Sequence, residues 1–203
     1  MTDSKLYHAG NRDLQDEFGT TGLADRMETV ITRAEFTASD REFIGQAIYF
    51  FLATATADGQ PDCSFKGGPA GFVRVTGPGE LAFPDYDGNG MFKSLGNLRA
   101  NPAVGLLFIN MHGAPRRLRV NGEARVLRND PLLATTVGAQ LIVRVAVRVI
   151  FPNCPRYVPA MSLTAASDYT PQAGCPVLEP AWKAADSFKD HVTPRPPSWS
   201  ADR

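Results

Sequence analysis

The sequence predicts an all-β barrel with flanking helices. Several runs of residues combine β-branched side chains with alternating polarity, most clearly at 141–151 (LIVRVAVRVIF). Turn signals such as Asp58-Gly59 and the Gly-Pro-Gly at 77–79 separate these runs. Strands and helices do not alternate regularly, and no Gly-x-Gly-x-x-Gly turn links a strand to a helix, so a doubly wound α/β sheet is not expected.

Helices are predicted before the first strand. Apolar residues recur at about helical spacing between residues 10 and 35, which predicts one or two amphipathic helices, broken near Gly19 and Gly22. Ser39 and Asp40 are typical helix caps and predict a third helix that ends near Ile48.

The first strands are predicted to form a hairpin around Asp58-Gly59. This dipeptide lies between extended runs at 50–57 and 62–65. Residues 71–75 (GFVRV) are expected to continue the second strand, and residues 80–84 (ELAFP) supply the next strand.

A helix over 91–100 is expected next, and it ends at Asn101-Pro102 because proline disfavours helix at the preceding residue. Residues 103–110 are typical of a buried strand. Residues 116–127 alternate apolar and polar side chains, and Asn121-Gly122 predicts a bulge there. The predicted inner face of this strand consists of Leu118, Val120, Ala124 and Val126.

The C-terminal part is predicted to be less regular. A short helix over 129–136 precedes the strand at 141–151, and the prolines at 152–180 predict a loop. Residues 180–190 predict a last short helix with proline in its first turn, and residues 193–203 are predicted to be disordered.

Composition restricts the function. Lys+Arg and Asp+Glu both number 21, so the chain lacks the positive surplus that bulk nucleic-acid binding needs. Residues 1–18 contain no apolar secretion signal, and the longest apolar stretch, at 45–57, is too short to span a membrane. The cysteines Cys63, Cys154 and Cys175 are far apart, so we expect no metal site, no disulfide framework and a cytoplasmic location.

The segment 84–108 is the most informative about chemistry. A Gly-Asn-Gly loop centred on Asn89 precedes the predicted helix, whose first turn contains Lys93 and Ser94, with Asn97 one turn later. A helix N-terminus offers unpaired N–H groups and the positive end of the helix dipole, which suit an anion such as phosphate. The alternative is that the loop is only a turn and that Ser94 and Asn97 are solvated.

Two further segments suit a planar, phosphorylated ligand. Arg117 and Arg119 share one face of a predicted strand, where two guanidinium groups suit a phosphate; the alternative is a solvated strand face. Gly67 and Gly68 allow the backbone to approach a planar ligand closely; the alternative is a wide hairpin or a bulge.

In their order and spacing, these segments resemble the pyridoxamine 5′-phosphate oxidase-like FMN-binding split-barrel family. The resemblance rests on GQP at 59–61, GNGMFKSLGNLRANPAVGLLF at 88–108 and RLRVNG at 117–122, and it covers about residues 45–160. FPNCPRY at 151–157 and the helical N-terminus are similar to an uncharacterised branch of that family.

The resemblance implies a mainly β fold, a six-stranded antiparallel split β-barrel with flanking helices. It also implies a homodimer with two FMN molecules in clefts between the subunits. Lys93, Ser94 and Asn97 are expected to contact the FMN phosphate, with Asn89 and Arg117 close by. Arg119 joins this predicted site because it shares the face of Arg117. The residues expected to border the flavin ring are Ser64, Phe65, Lys66 and Gly67.

The chain differs from members of the family that oxidise pyridoxamine phosphate. Those members carry an arginine where Ser64 aligns and a C-terminal Trp–Arg pair that closes over FMN and substrate. Here Trp182 is the nearest candidate, and no arginine partner is identifiable. The vitamin substrate is therefore not expected. Cys154 and Tyr157 are candidates for the substrate side, with a buried inert thiol as the alternative for Cys154. Catalytic residues stay unassigned, since the flavin itself carries the redox chemistry.

The sequence thus predicts an FMN-dependent oxidoreductase that acts on an unidentified small organic substrate. The alternatives are a non-catalytic flavin- or haem-binding protein and a deazaflavin-dependent reductase on the same barrel. The expected organisation is a helical extension at 1–40, the FMN-binding split barrel at 41–160, and a C-terminal loop, short helix and disordered tail at 161–203.

Overall fold

Three helices precede the sheet in the computed structural model, which describes residues 4–175 and 178–193. The first two confirm the predicted pair and separate at Gly19, whose φ of 64° favours glycine. Gly22, the second predicted break, lies inside a helix instead. The three helices are α1 (Ala9–Glu17), α2 (Thr21–Ile31) and α3 (Ala38–Gln46).

Helix α3 begins with a reciprocal cap. The Thr37 hydroxyl accepts a hydrogen bond from the Asp40 amide at 3.1 Å, and the Asp40 carboxylate accepts one from the Thr37 amide at 3.0 Å. The prediction of Ser39 as a cap was therefore wrong. Asp40 is fully buried, and its carboxylate also binds the guanidinium groups of Arg33 and Arg116, which fixes α3 against the rest of the molecule.

Seven antiparallel strands form one sheet, one strand more than predicted. Residues 71–75 do not continue the second strand, because Pro69 cannot extend the ladder beyond Gly68; Arg74–Gly77 instead pairs at the opposite end of the sheet. The sheet order is β2-β1-β5-β6-β7-β4-β3. The strands are β1 (Tyr49–Ala55), β2 (Pro61–Gly67), β3 (Arg74–Gly77), β4 (Glu80–Tyr86), β5 (Ala103–Asn110), β6 (Arg116–Leu127) and β7 (Ala139–Asn153).

The sheet curls around one hydrophobic core. The Phe50 ring on β1 packs edge-on against Phe83 on β4, with ring centroids 5.0 Å apart, and lies 5.2 Å from the Phe108 ring on β5. Because β1 and β4 are not neighbours in the sheet, their contact requires the sheet to close on itself. The predicted antiparallel barrel is confirmed.

The predicted bulge lies where Asn121 is followed by Gly122, and the extra residue, Arg148, belongs to β7. A β-carbon on Gly122 would lie 2.1 Å from the Ala146 carbonyl oxygen, so only glycine fits. The inner face of β6 carries the predicted buried residues Leu118, Val120 and Ala124, while Val126 is partly buried.

Helix α4 (Lys93–Ala100) ends before Asn101-Pro102, as predicted. The expected helix at 129–136 is a 3₁₀ turn (Pro131–Thr135), and the one at 180–190 is two such turns (Ala181–Ala184 and Lys189–His191). The predicted disorder at 193–203 falls, except for Thr193, outside the described residues. No helix in the described ranges is long and apolar enough to cross a membrane.

Candidate cofactor cavity

A cavity of about 660 Å³ lies where β2, the end of β4, the start of α4 and the C-terminal segment (residues 178–193) meet. Aromatic side chains form much of its wall, and polar groups from four elements enter it. Volumes of this order are typical of cofactor and small-molecule sites. The aromatic residues are Tyr86, Phe92, Trp182 and Phe188, and the polar ones used below are Lys66, Asp85, Asn89, Ser94 and Gln140.

The loop before α4 has an unusual backbone. Gly90 has a φ of 75°, and Phe92 has a φ of 49°, a left-handed conformation that costs a non-glycine residue roughly 1 kcal/mol. The Asn89 carboxamide oxygen accepts a hydrogen bond from the Met91 amide at 3.0 Å, so this side chain shapes the loop as well as lining the cavity. Lys93, at the first position of α4, is exposed and outside the cavity lining.

Ser94 belongs to a hydrogen-bonded chain that connects α4 to β2. Its hydroxyl donates to the Asp62 carboxylate at 3.3 Å and lies 2.9 Å from the Ser64 hydroxyl. Since Ser94 has a single hydroxyl proton, Ser64 is the donor to Ser94. A phosphate contact from Ser94 therefore requires its proton to turn away from Asp62. The sequence did not predict the contact with Asp62.

Asn97 faces the barrel rather than the cavity. Its amide group donates to the Thr54 hydroxyl at 3.0 Å, and the side chain is buried between α4 and β1. The structure gives Asn97 a role in packing the helix on the sheet. Its predicted contact with a phosphate remains a prediction.

Strand β2 sends successive side chains to opposite faces. Ser64 and Lys66 point to the α4 side, whereas Phe65 is 62% exposed on the outer face and stacks on Tyr49 with centroids 5.5 Å apart. A β-carbon on Gly67 would lie 2.8 Å from the Phe65 ring. This glycine is thus required by local packing, whether or not a ligand also approaches it.

Arg117 and Arg119 lie on the outer face of β6. One guanidinium nitrogen of Arg117 donates to the Cys154 carbonyl, and Arg119 lies over the Phe151 ring at 5.9 Å from its centroid. Neither arginine lines the cavity that contains Ser94. Within one chain, these arginines and Ser94 are therefore not brought together around one site.

Asp85 and Gln140 line the cavity but were not predicted from the sequence. Asp85, at the end of β4, accepts a hydrogen bond from Gln140 at 2.7 Å. Burial raises the pKa of the Asp85 carboxyl, and the Gln140 hydrogen bond and the charge of Lys66 only partly oppose this. Burial also raises the pKa of Tyr86 to about 12, so its phenol stays neutral.

The C-terminal segment covers one side of the cavity. Trp182 packs edge-on against Phe188 with centroids 5.6 Å apart, and Lys183 binds the carboxylates of Asp87 and Glu179. The ion pair with Asp87 fixes the segment to the loop after β4. Trp182 is thus placed at the cavity, as the resemblance implied.

The candidates Cys154 and Tyr157 lie outside the cavity lining. Both are exposed, and the Tyr157 side chain is 87% exposed. The alternative of a buried thiol at Cys154 was wrong, because the chain after β7 runs along the surface. In the described ranges, no cluster of three His, Cys, Asp or Glu residues suits a metal ion.

A curled antiparallel sheet with a polar and aromatic cavity at its rim defines a small β-barrel protein with a candidate ligand site. Residues 36–162 match the family model described as pyridoxamine 5′-phosphate oxidase. This match covers more than half of the chain, so the protein belongs to the pyridoxamine 5′-phosphate oxidase family, which confirms the resemblance.

Solved structures with a similar fold share little sequence with this chain. A putative pyridoxamine 5′-phosphate oxidase from Lactobacillus delbrueckii is 21% identical, with a TM-score of 0.46 over 59% of this chain and 95% of that one. An FMN-binding protein from Syntrophomonas wolfei is 12% identical, with a TM-score of 0.47 over 70% and 97%. The haem storage protein HutZ from Vibrio cholerae is 16% identical, with a TM-score of 0.43 over 58% and 95%. No curated protein matches the chain.

Proposed function

We propose that the protein is an FMN-dependent oxidoreductase that acts on a small organic substrate. The observation that carries this proposal is the cavity at the start of α4, where Lys66, Ser94 and the glycine loop adjoin an aromatic wall. Its volume of about 660 Å³ lies within the range of cofactor sites.

The groups in the cavity fit the chemistry of FMN. The Ser94 hydroxyl and the backbone N–H groups at the start of α4 are donors that suit a phosphate. Tyr86 and Trp182 are flat surfaces that suit a planar ring. When bound, the flavin supplies electron or hydride transfer, and the protein supplies binding and orientation.

The C-terminal segment excludes water from this site in our proposal. Lys183, through its ion pair with Asp87, keeps Trp182 and Phe188 over the cavity. A drier cavity strengthens the hydrogen bonds and charge interactions that orient a bound ligand. The segment therefore takes part of the role that the resemblance gives to a Trp–Arg pair.

A homodimer is part of the proposal. The outer face of β1 and β2 exposes an aromatic cluster, formed by Tyr49, Phe51 and Phe65, that a second subunit would bury. Arg117 and Arg119 lie on the outer face of β6 and do not line the cavity of their own chain. In the proposed dimer, the outer faces of the two subunits' sheets pack together, and Arg117 and Arg119 of one subunit approach the cavity of the other.

The absorbance spectrum of the purified protein tests the cofactor. We expect a flavin spectrum, either as purified or after addition of FMN, and oxidation of a nicotinamide donor by the loaded protein. A haem or deazaflavin spectrum would replace FMN with the corresponding cofactor. Flavin binding without turnover by any nicotinamide donor would indicate a non-catalytic flavin protein.

Light scattering at micromolar concentration tests the assembly. We expect about twice the chain mass of 22.0 kDa. A strict monomer that still binds FMN would contradict a cleft between subunits. The Phe65→Ser variant, which makes the outer aromatic cluster more polar, should shift the mass toward the monomer. The Tyr157→Ser variant changes an exposed residue just after β7 and should not.

A further inference from the structure

A bulge between β4 and β7 directs Gln140 toward the cavity. Asp85 pairs with Leu141 and Tyr86 pairs with Ala139, so Gln140 is the extra residue on β7. Bulges of this kind re-aim a side chain and are frequent beside functional sites. Here the bulge brings the Gln140 carboxamide to the end of β4.

The hydrogen bonds of Gln140 fix which way its carboxamide faces. Its Nε2 donates to the Asp85 carboxylate at 2.7 Å and to the Tyr86 carbonyl at 3.1 Å. Both partners are acceptors, so only the NH₂ end of the carboxamide can serve them. The Gln140 Oε1 atom has no hydrogen-bond partner among the described residues and remains an acceptor in a cavity-lining side chain.

Asp85 adds a second acceptor at the same corner. Gln140 binds its Oδ2 atom, and Oδ1 makes no hydrogen bond within the described part of the chain. Lys66 lines the same cavity and contributes a cationic donor. The corner therefore combines two acceptor oxygens with one donor, next to the aromatic side chains of Tyr86 and Trp182.

We propose that Asp85 and Gln140 form a subsite for the edge of a planar heterocycle in which an N–H group adjoins a carbonyl, as in a lactam or an imide. The acceptor oxygens receive the N–H group, Lys66 donates to the carbonyl, and the aromatic wall contacts the ring face. Such an edge occurs on the pyrimidine ring of a flavin and on many heterocyclic substrates. The inference rests on the proposed function and names the ligand chemistry of its cavity.

Methylation of the N–H group tests the subsite in two arms. The first arm titrates cofactor-free protein with riboflavin and 3-methylriboflavin and follows flavin fluorescence. The second arm titrates FMN-saturated protein with 1-methylquinazoline-2,4-dione, whose one N–H group lies between two carbonyls, and with its 1,3-dimethyl derivative, by calorimetry. We expect methylation to weaken binding by about tenfold or more in one arm, since a hydrogen bond to a charged group is lost. The arm that responds tells whether the flavin or the substrate occupies the corner.

Variants assign the effect to these side chains. Asp85→Asn and Gln140→Leu should reduce the methylation effect to less than about threefold. Asp13→Asn is the control for the loss of one carboxylate, because Asp13 is exposed on α1 and outside the cavity lining, and it should leave the methylation effect unchanged.

Two results would count against the inference in different ways. A methylation effect below about threefold in both arms of the wild-type protein overturns the subsite, and this result requires no variant. Failure to take up any flavin overturns the proposed function alone, and the second arm, run on the protein as purified, then still decides whether the subsite exists.

Discussion

Helix α4 and strand β6 both carry residues that the sequence predicts to bind a phosphate, but the structure uses the two regions differently. On α4, Ser94 and Asn97 are buried and hydrogen-bonded to β2 and β1. On β6, Arg117 and Arg119 lie on the outer face and do not line the cavity. The difference shows that side-chain periodicity assigns a residue to a face, whereas the closure and assembly of the sheet decide which faces meet.

Another arginine of β6, Arg116, points the opposite way and contributes to stability. Its guanidinium lies 4.5 Å from the Phe43 ring centroid and binds the buried Asp40 carboxylate together with Arg33. We expect Asp40→Asn to lower the free energy of unfolding by about 3 kcal/mol, because it breaks a buried ion pair. Urea denaturation measures this. The exposed Arg119→Ala is the control and should change stability by less than about 0.5 kcal/mol.

Acid should remove the same contribution in the wild-type protein. Burial alone would raise the pKa of the Asp40 carboxyl, but hydrogen bonds from Arg33 and Thr37 outweigh it and hold this pKa below its usual value. A carboxyl with a lowered pKa stabilises the fold above the unfolded value of about 3.9 and loses that effect as the pH falls through the folded value. The stability difference between wild type and Asp40→Asn should therefore shrink below about pH 4. A constant difference down to pH 2 would show that the ion pair is not its cause.

Replacing Arg117 tests whether the outer face of β6 takes part in phosphate binding. If Arg117 contacts the FMN phosphate of the neighbouring subunit, Arg117→Ala should weaken FMN binding by roughly ten- to a hundredfold, since a charge-assisted hydrogen bond contributes about 1.5–3 kcal/mol. Riboflavin, which has no phosphate, should bind as before. Arg125→Ala, exposed on the same strand, is the matched control in both fluorescence titrations. Unchanged FMN affinity with an intact circular dichroism spectrum would make Arg117 a structural residue.

Replacing Ser94 tests whether the start of α4 binds the phosphate, and we expect a smaller loss of affinity than for Arg117. We expect Ser94→Ala to weaken FMN binding by about three- to tenfold, because a neutral hydroxyl is the weaker donor and its proton is shared with Asp62. Ser162→Ala removes a hydroxyl at an exposed position outside the cavity lining, and as the control it should bind FMN like the wild type. If Ser94→Ala binds FMN like the wild type, the glycine loop and the start of α4 do not form the phosphate site.

Local signals predicted the parts of the fold that depend on neighbouring residues. The bounds of β5 and β6 and the bulge at Asn121-Gly122 follow from alternation and from one dipeptide, and the structure confirms them. The strand expected at 71–75 was wrong, because the partner of this segment is β4 and no feature of the segment itself identifies that partner.

The candidate site was only partly predictable for the same reason. Lys66, Asn89 and Ser94 were predicted, and the structure places them around one cavity. Asp85 and Gln140 were missed, because the bulge that joins them arises from the pairing of two strands distant in sequence. The hydrogen bond from Ser94 to Asp62 likewise depends on α4 packing against β2.

FMN and riboflavin differ only in the phosphate, so their relative affinities for the wild-type protein show whether this cavity binds the FMN phosphate. We propose that the Ser94 side chain and the start of α4 form the phosphate side of the cavity, so they distinguish the two flavins only through the phosphate. Parallel fluorescence titrations at fixed salt should show that FMN binds at least about tenfold more tightly, equivalent to about 1.4 kcal/mol. Equal affinities for FMN and riboflavin would contradict the assignment of this cavity as an FMN phosphate site.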